Sequence, residues 1–329
     1  GAMTVLKIAI VFFVVIVGFF YVKASNFTPF IPPSQPASTV EGSSAVTGVM
    51  TQPLWQFATG MTPSVYGVPG ILSGAALVFF AFIGFDVVAT ASEETKNPHK
   101  NVPLGIGVGM LLIIVMYMLV AVVTTGMVSY ADLAKQDSPS LATAFELVGA
   151  DWAAKIISFG IVLGLATVVM VLLLGLTRIV FAMSRDGLLP RGLSKTGKHG
   201  TPAALQIVVG AVVALVAAFF DIGVLSDMVN IGTLSAFTLV AISIPIMRKK
   251  RPDLPRAFKM PGSPWIPILI AVANFWLMLN LSVLTWIRFV VWLVVGFAIY
   301  FGYGYWHARL GKGDLTETLS AETDKAVNG

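Results

Sequence analysis

Apolar residues run along the chain in stretches of 18 to 30 positions separated by polar connections. A bilayer core of about 30 Å takes about 20 apolar residues per helix, so each stretch is long enough to be read as a membrane span. Eight are predicted: Val5 to Val22, Ile71 to Ala91, Leu104 to Val128, Ala153 to Ala182, Ala203 to Phe220, Met228 to Met247, Trp265 to Thr285 and Phe289 to Trp306. An even number puts both chain ends on one side. The fourth stretch exceeds what a bilayer needs and is expected to tilt or project. The connection from Lys23 to Gly70 is rich in Pro, Ser, Thr and Gly and reads as an irregular outer loop with short surface helices. Ser129 to Trp152 reads as interfacial amphipathic helix. The tail beyond Trp306 has no apolar period and reads as disorder.

Charge gives an independent check on this division, because Lys and Arg accumulate in cytoplasmic loops. Of 21 such residues, 15 fall in one alternate set of connections and the tail: Lys96 and Lys100, Arg185 to Lys198, the basic run Arg248 to Lys259, and Arg309 to Lys325. The other set has only Lys23, Lys135, Arg288 and, at the outer end of the fourth span, Lys155, while Lys7 and Arg178 lie deeper inside spans. The asymmetry supports the span list and predicts a cytoplasmic tail. It also assigns the net charge of +5 to the membrane face, not to nucleic acid. Composition agrees: 57% hydrophobic and 11% charged, against about 45–50% and about 25% in soluble domains.

Several chemistries are excluded. The chain has no Cys, so no disulfide, thiolate nucleophile or thiolate metal site is available. His99, His199 and His307 fall in connections or at a helix end, away from any buried catalytic position. No GxxxxGK phosphate loop occurs. Asn26-Phe27-Thr28 forms an N-x-T sequon, read as a chance match, and Asn230, Gly232, Thr233 and Ser235 form a small polar face, most simply a packing seam, with lining of an extracellular pathway as the alternative.

The informative interruption is in the second span, at Ala81-Phe82-Ile83-Gly84-Phe85-Asp86. A carboxylate at mid-membrane costs at least about 2.5–3.5 kcal/mol and should face protein or a water-filled cavity. Two readings stand at this level. One is a packing glycine with a capped or neutral Asp86; the other is a discontinuous helix whose freed carbonyls receive a substrate ammonium. Lys7 poses a similar choice between snorkelling to the surface and finding a buried partner.

The stretch FFAFIGFDVVATASEETKNPHKNVPLGI at 79–106 resembles the sixth helix and following loop of amino acid permeases in the amino acid, polyamine and organocation superfamily, the cationic amino acid transporter branch in particular. GLTRIVFAMSRDGLLPR at 175–191 and MRKKRPDLPRAFKMPGSP at 247–264 are similar to two further stretches of that family, in family order. The resemblance implies an all-α membrane protein of the inverted-repeat, leucine-transporter-like fold, with the eight spans matching family helices five to twelve. Residues 1–22 would be the last helix of the first repeat, 23–70 an extracellular loop, and 71–247 the second repeat. A basic cytoplasmic loop at 248–264, two final helices at 265–306 and a cytoplasmic tail at 307–329 would follow. The family's first four helices have no counterpart in this sequence, so an expectation of a fragment without transport activity stands beside that of a transporter.

The resemblance further implies a secondary active amino acid transporter, a proton symporter working by alternating access in a bacterial inner membrane. Its partners would be amino acid, protons and lipid, with no cofactor, metal or nucleic acid. Phe80, Ala81, Phe82, Ile83 and Gly84 would form the substrate site, Phe80 as a lid and Gly84 permitting the unwinding. Asp86 would cap the inner half-helix. Lys7 would occupy the place of a sodium ion in sodium-coupled relatives, with Thr167 as its hydroxyl neighbour. Glu94, beside Glu93, would pair with Arg178 or Arg185 on the inner side. A channel is the alternative from another class, and it would call for rings of repeated polar residues that are not evident here. An intramembrane enzyme would need paired buried Ser, His or Asp groups and is the poorest fit.

Overall fold

A computed structural model describes residues 2–39, 48–85, 95, 97–136, 139–194, 202–252 and 262–308. Among the described residues, four helices are long and apolar enough to cross a membrane: Lys100–Met127, Asp151–Arg185, Ile222–Lys250 and Val283–His307. Four shorter apolar helices accompany them, at Met3–Phe19, Gly67–Phe82, Ala203–Phe219 and Trp265–Leu279. The chain is an integral membrane protein, and its described residues are mostly helical. In chain order, the α-helices used below are α1 (Ala2–Phe19), α2 (Leu54–Thr59), α3 (Gly67–Val78), α4 (Pro98–Met127), α5 (Tyr130–Ala134), α6 (Leu141–Leu147), α7 (Asp151–Arg185), α8 (Ala203–Phe219), α9 (Ile222–Lys250), α10 (Trp265–Leu279) and α11 (Val283–Ile299). At 1.5 Å per residue the 35 residues of α7 reach about 50 Å, well beyond a bilayer core.

The chain divides into two compact units. The first comprises residues 1–169 and 226–286. Its core gathers Val14 of α1, Val123 and Met127 of α4, Phe145 of α6, and Ala153, Ala154 and Ile157 of α7. A Cβ on Gly160 of α7 would collide with the Ile10 side chain of α1, so the glycine admits a close approach of these two helices. Ser129 and Ser140 start α5 and α6 as N-caps, accepting hydrogen bonds from the Asp132 and Thr143 amides at 3.2 and 3.1 Å.

The long outer connection is more ordered than its composition suggests. A two-residue antiparallel ribbon pairs Gln35–Pro36 (β1) with Ser64–Val65 (β2), and α2 lies between them in sequence. Backbone bonds from Leu54 N to Leu281 O (3.0 Å) and from Val283 N to Gln52 O (3.1 Å) fasten this segment to the turn between α10 and α11. Asn26, the sequon residue, donates Nδ2 to the Gly126 carbonyl at 2.8 Å and ties the loop to the end of α4.

That turn corrects one predicted span. Trp265 to Thr285 is not continuous, since α10 stops at Leu279 and α11 starts at Val283. Asn280 folds its Nδ2 back on the Trp276 carbonyl at 2.8 Å, and Ser282 Oγ accepts from the Thr285 amide at 3.2 Å, so the two polar side chains end one helix and cap the next. Arg288 therefore lies inside α11 rather than in a connection.

The second unit, residues 170–225 and 287–329, contains the later part of α7, then α8, and the later part of α11 running into a π-helical turn at Tyr300–Gly304. The turn after α7, at Gly187 and Leu188, packs against Gly304 and His307. The tail expected to be disordered lies, beyond Ala308, outside the described residues.

Candidate substrate site at the interrupted helix

The helix containing residues 67–82 loses its regular hydrogen-bond ladder partway along. α3 ends at Val78, Phe79–Phe82 tighten into a 3₁₀ turn, and Ile83 is extended at φ −68°, ψ 134°. Gly84 follows at φ +134°. Among the described residues nothing lies within 4 Å of a Cβ placed on Gly84, and its positive φ is a conformation that glycine adopts without strain. Residues 80–84, named above as the substrate-binding set, form the interruption itself.

The carbonyls around the interruption are met from two other helices. Asn230 of α9, fully buried, donates Nδ2 to the carbonyls of Ala76 at 3.1 Å and Leu77 at 3.4 Å. Its Oδ1 is buried and has no hydrogen-bond partner among the described residues. Tyr117 of α4 donates its hydroxyl to the Ala81 carbonyl at 2.7 Å, and its ring meets that of Phe82 edge to face, centroids 5.0 Å apart. The Phe80 carbonyl accepts the Ile83 amide at 3.2 Å. Phe237 of α9 sits between Phe79 (6.1 Å) and Phe85 (5.3 Å), bridging the interruption with aromatic contact on both sides. The Phe80 ring is 43% exposed.

Chemically this is the end of an apolar helix where the backbone leaves regular α-helical bonding, with the Ala81 carbonyl met by a side-chain donor. Each carbonyl has two lone pairs, so one already bonded to Tyr117 can still accept from an incoming ammonium. The part of the second span beyond Phe85, with Asp86, Glu93 and Glu94, lies outside the described residues. Arg185, a proposed partner of Glu94, is 3.4 Å from Asp186 with both side chains more than half exposed.

A Cβ on Gly164 of α7 would stand 3.8 Å from Cε of Lys7 on α1, so the Lys7 side chain, half-buried, passes that turn of α7. Thr167 Oγ1 donates to the Gly164 carbonyl at 2.8 Å, a bond within its own helix. Tyr117 carries no local signal in the sequence, being one aromatic in an apolar span. Asn230 lies on the small polar face read as a packing seam, and its buried amide bonds α9 to α3 as such a seam requires.

Comparison with known proteins gives the setting for this geometry. The family model for amino acid permeases matches residues 2–304. A branched-chain amino acid permease of Bacillus subtilis is 42% identical over 311 residues, covering 94% of this chain and 60% of the relative. A methylthioribose transporter of the same organism is 39% identical over 313 residues, 95% of this chain and 60% of the relative. Cationic amino acid transporter 3 of Arabidopsis thaliana is 45% identical over 195 residues, 59% of this chain and 31% of the relative. The chain spans about 60% of the length of the two bacterial relatives.

Proposed function

The chain belongs to the amino acid permease family, and from that premise we propose that it acts in secondary active transport of amino acids, by proton-coupled symport and alternating access across a bacterial inner membrane. The family is one of transporters, not of enzymes. The observation that carries the reading is the 3₁₀ turn and extended residue at Phe79–Ile83, followed by Gly84 at positive φ, at the end of the apolar helix α3. Irregular backbone at membrane depth is tolerated only where it is buried in protein or lines a cavity, and in transporters such breaks hold the solute.

In this reading the carbonyls of Phe80, Ala81 and Ile83, with Phe82 and Gly84 shaping the turn, receive the substrate ammonium, and Phe80 closes over it. Asp86 caps the following inner half-helix, and Glu94 takes part in inward-side gating. Lys7 is the coupling group. As an ammonium it contributes a positive charge beside the Gly164 turn of α7, and loss of its proton removes that charge. The eight apolar helices form the closing helix of one repeat, the whole second repeat and two further helices, with the tail cytoplasmic. The branched-chain permease and the cationic transporters are named for different side chains, so the selectivity proposed here is for the shared amino acid backbone.

Uptake of labelled amino acids into proteoliposomes, with and without an imposed pH gradient, tests the proposal. Gradient-driven accumulation, lost in Lys7→Met while counterflow exchange remains, is the expected result. Flux without accumulation would favour a channel, and absence of any flux would refute transport by this chain.

A further inference from the structure

α9 ends in the basic run Arg248-Lys249-Lys250-Arg251, and the nearest acidic residues in sequence are Asp227 and Asp253. Lys249 and Lys250 are exposed, and neither side chain forms an ion pair or hydrogen bond with a described residue. Below them on the same helix lie Leu239, Ile242 and Ile246, which are 68%, 43% and 46% exposed. At 3.6 residues per turn, these three and both lysines fall within an arc of about 100°. Ala241, on another face of the same turns, is buried. From Leu239 to Lys249 the stripe rises about 15 Å, the depth of one leaflet of a hydrocarbon core of about 30 Å. The next helix, α10, opens with Trp265, 77% exposed and of a residue type enriched at the headgroup level. Both ends of the connection 251–264 therefore carry side chains suited to the membrane interface.

We propose that this face of α9 is a binding surface for an anionic phospholipid, with one acyl chain along Leu239, Ile242 and Ile246 and the phosphate held by Lys249 and Lys250. A charge run alone would attract any anion. The exposed apolar stripe that leads up to it over one leaflet selects a lipid. Each lysine ammonium brings three donors and no acceptor, which complements phosphate oxygens, and each basic residue near an anionic surface strengthens association about fivefold. The bilayer is then a partner of defined charge at this position, and not only the apolar solvent of the helices. The inference goes beyond the transport reading and does not depend on it.

The test is native mass spectrometry of the full chain, titrated in detergent with dioleoylphosphatidylglycerol or dioleoylphosphatidylcholine and read as the affinity for the first lipid bound. The wild type binds phosphatidylglycerol at least fivefold more tightly than phosphatidylcholine. Lys249→Gln combined with Lys250→Gln weakens phosphatidylglycerol at least fivefold and leaves phosphatidylcholine unchanged, which also reports that the variant is folded. Lys23→Gln combined with Lys155→Gln removes the same charge elsewhere and leaves both affinities unchanged. Glycerol 1-phosphate, which has the phosphate but no acyl chains, does not displace phosphatidylglycerol at equal concentration. Equal affinity for the two lipids in the wild type, no loss in the Lys249 and Lys250 variant, the same loss in the Lys23 and Lys155 variant, or displacement by glycerol 1-phosphate would overturn the proposal. Lipid binding is read without uptake, so a chain that binds phosphatidylglycerol in this way and transports nothing refutes the transport reading alone.

Discussion

Removal of the Asn230 amide should loosen the interrupted helix without unfolding the bundle. Asn230 contributes two hydrogen bonds to the last turn of α3, at 3.1 Å to Ala76 and 3.4 Å to Leu77. A neutral intramolecular hydrogen bond is worth about 0.5–1.5 kcal/mol net, and the longer bond belongs at the low end. In Asn230→Ala both are lost, and partial relief comes from deleting the orphaned Oδ1. The expected change is about 1 kcal/mol in the local opening of residues 76–84, and at about 1.4 kcal/mol per factor of ten this corresponds to roughly fivefold faster exchange of the amides there. Hydrogen–deuterium exchange with mass spectrometry on the nanodisc-embedded chain reads the effect. Protection in α7 serves as the internal control, because α7 is not bonded to Asn230. Asn230→Asp should be worse than Ala, since it places a carboxylate against two carbonyl oxygens at a fully buried position, where an unpaired charge is strongly disfavoured. Equal exchange of residues 76–84 in wild type and Asn230→Ala would refute the assignment of Asn230 as the clamp on this turn.

Tyr117→Phe removes the 2.7 Å bond to Ala81 but keeps the ring against Phe82, so it should cost about 1 kcal/mol locally, a several-fold rise in exchange at residues 81–84, with thermal stability nearly unchanged. Under the transport reading it should also alter the apparent affinity for amino acid, as one lone pair of the Ala81 carbonyl is released. Outside the spans, the hydrogen bond from Ser129 and the hydrogen bond and charge of Lys135 hold the Asp132 carboxyl below its ordinary value of 3.8. Because the folded value is depressed, the stabilisation of α5 is present above 3.8 and disappears as pH falls through the lower folded value. In Ser129→Ala the Asp132 titration, followed by NMR, should move up toward 3.8. An unchanged midpoint would show that Ser129 does not hold the carboxylate.

The parts of this architecture that are legible in sequence share one property: their cause is local. Apolar stretches and the asymmetry of Lys and Arg mark where helix meets lipid, because each residue's transfer energy is its own. Gly84 marks a departure from helix because a single residue can reach φ +134° only at a cost that glycine avoids. The turn at Asn280 and Ser282 has a local cause too, but two polar residues flanking Leu281 are outvoted in a window of about 19. Their side chains end α10 and cap α11 through contacts no more than four residues away.

What holds the interruption is not local. Asn230 reaches Ala76 across 154 positions and Tyr117 reaches Ala81 across 36, and neither sequence neighbourhood records its partner. A glycine permits the ladder to stop, but permission alone would leave freed carbonyls in an apolar medium, each unsatisfied group costing several kcal/mol. The interruption persists because donors from α4 and α9 meet those carbonyls. Under the transport reading, a solute ammonium there competes with, or adds to, bonds the protein already makes, and its net gain is the difference between two hydrogen-bonded states, smaller than bare carbonyls would give.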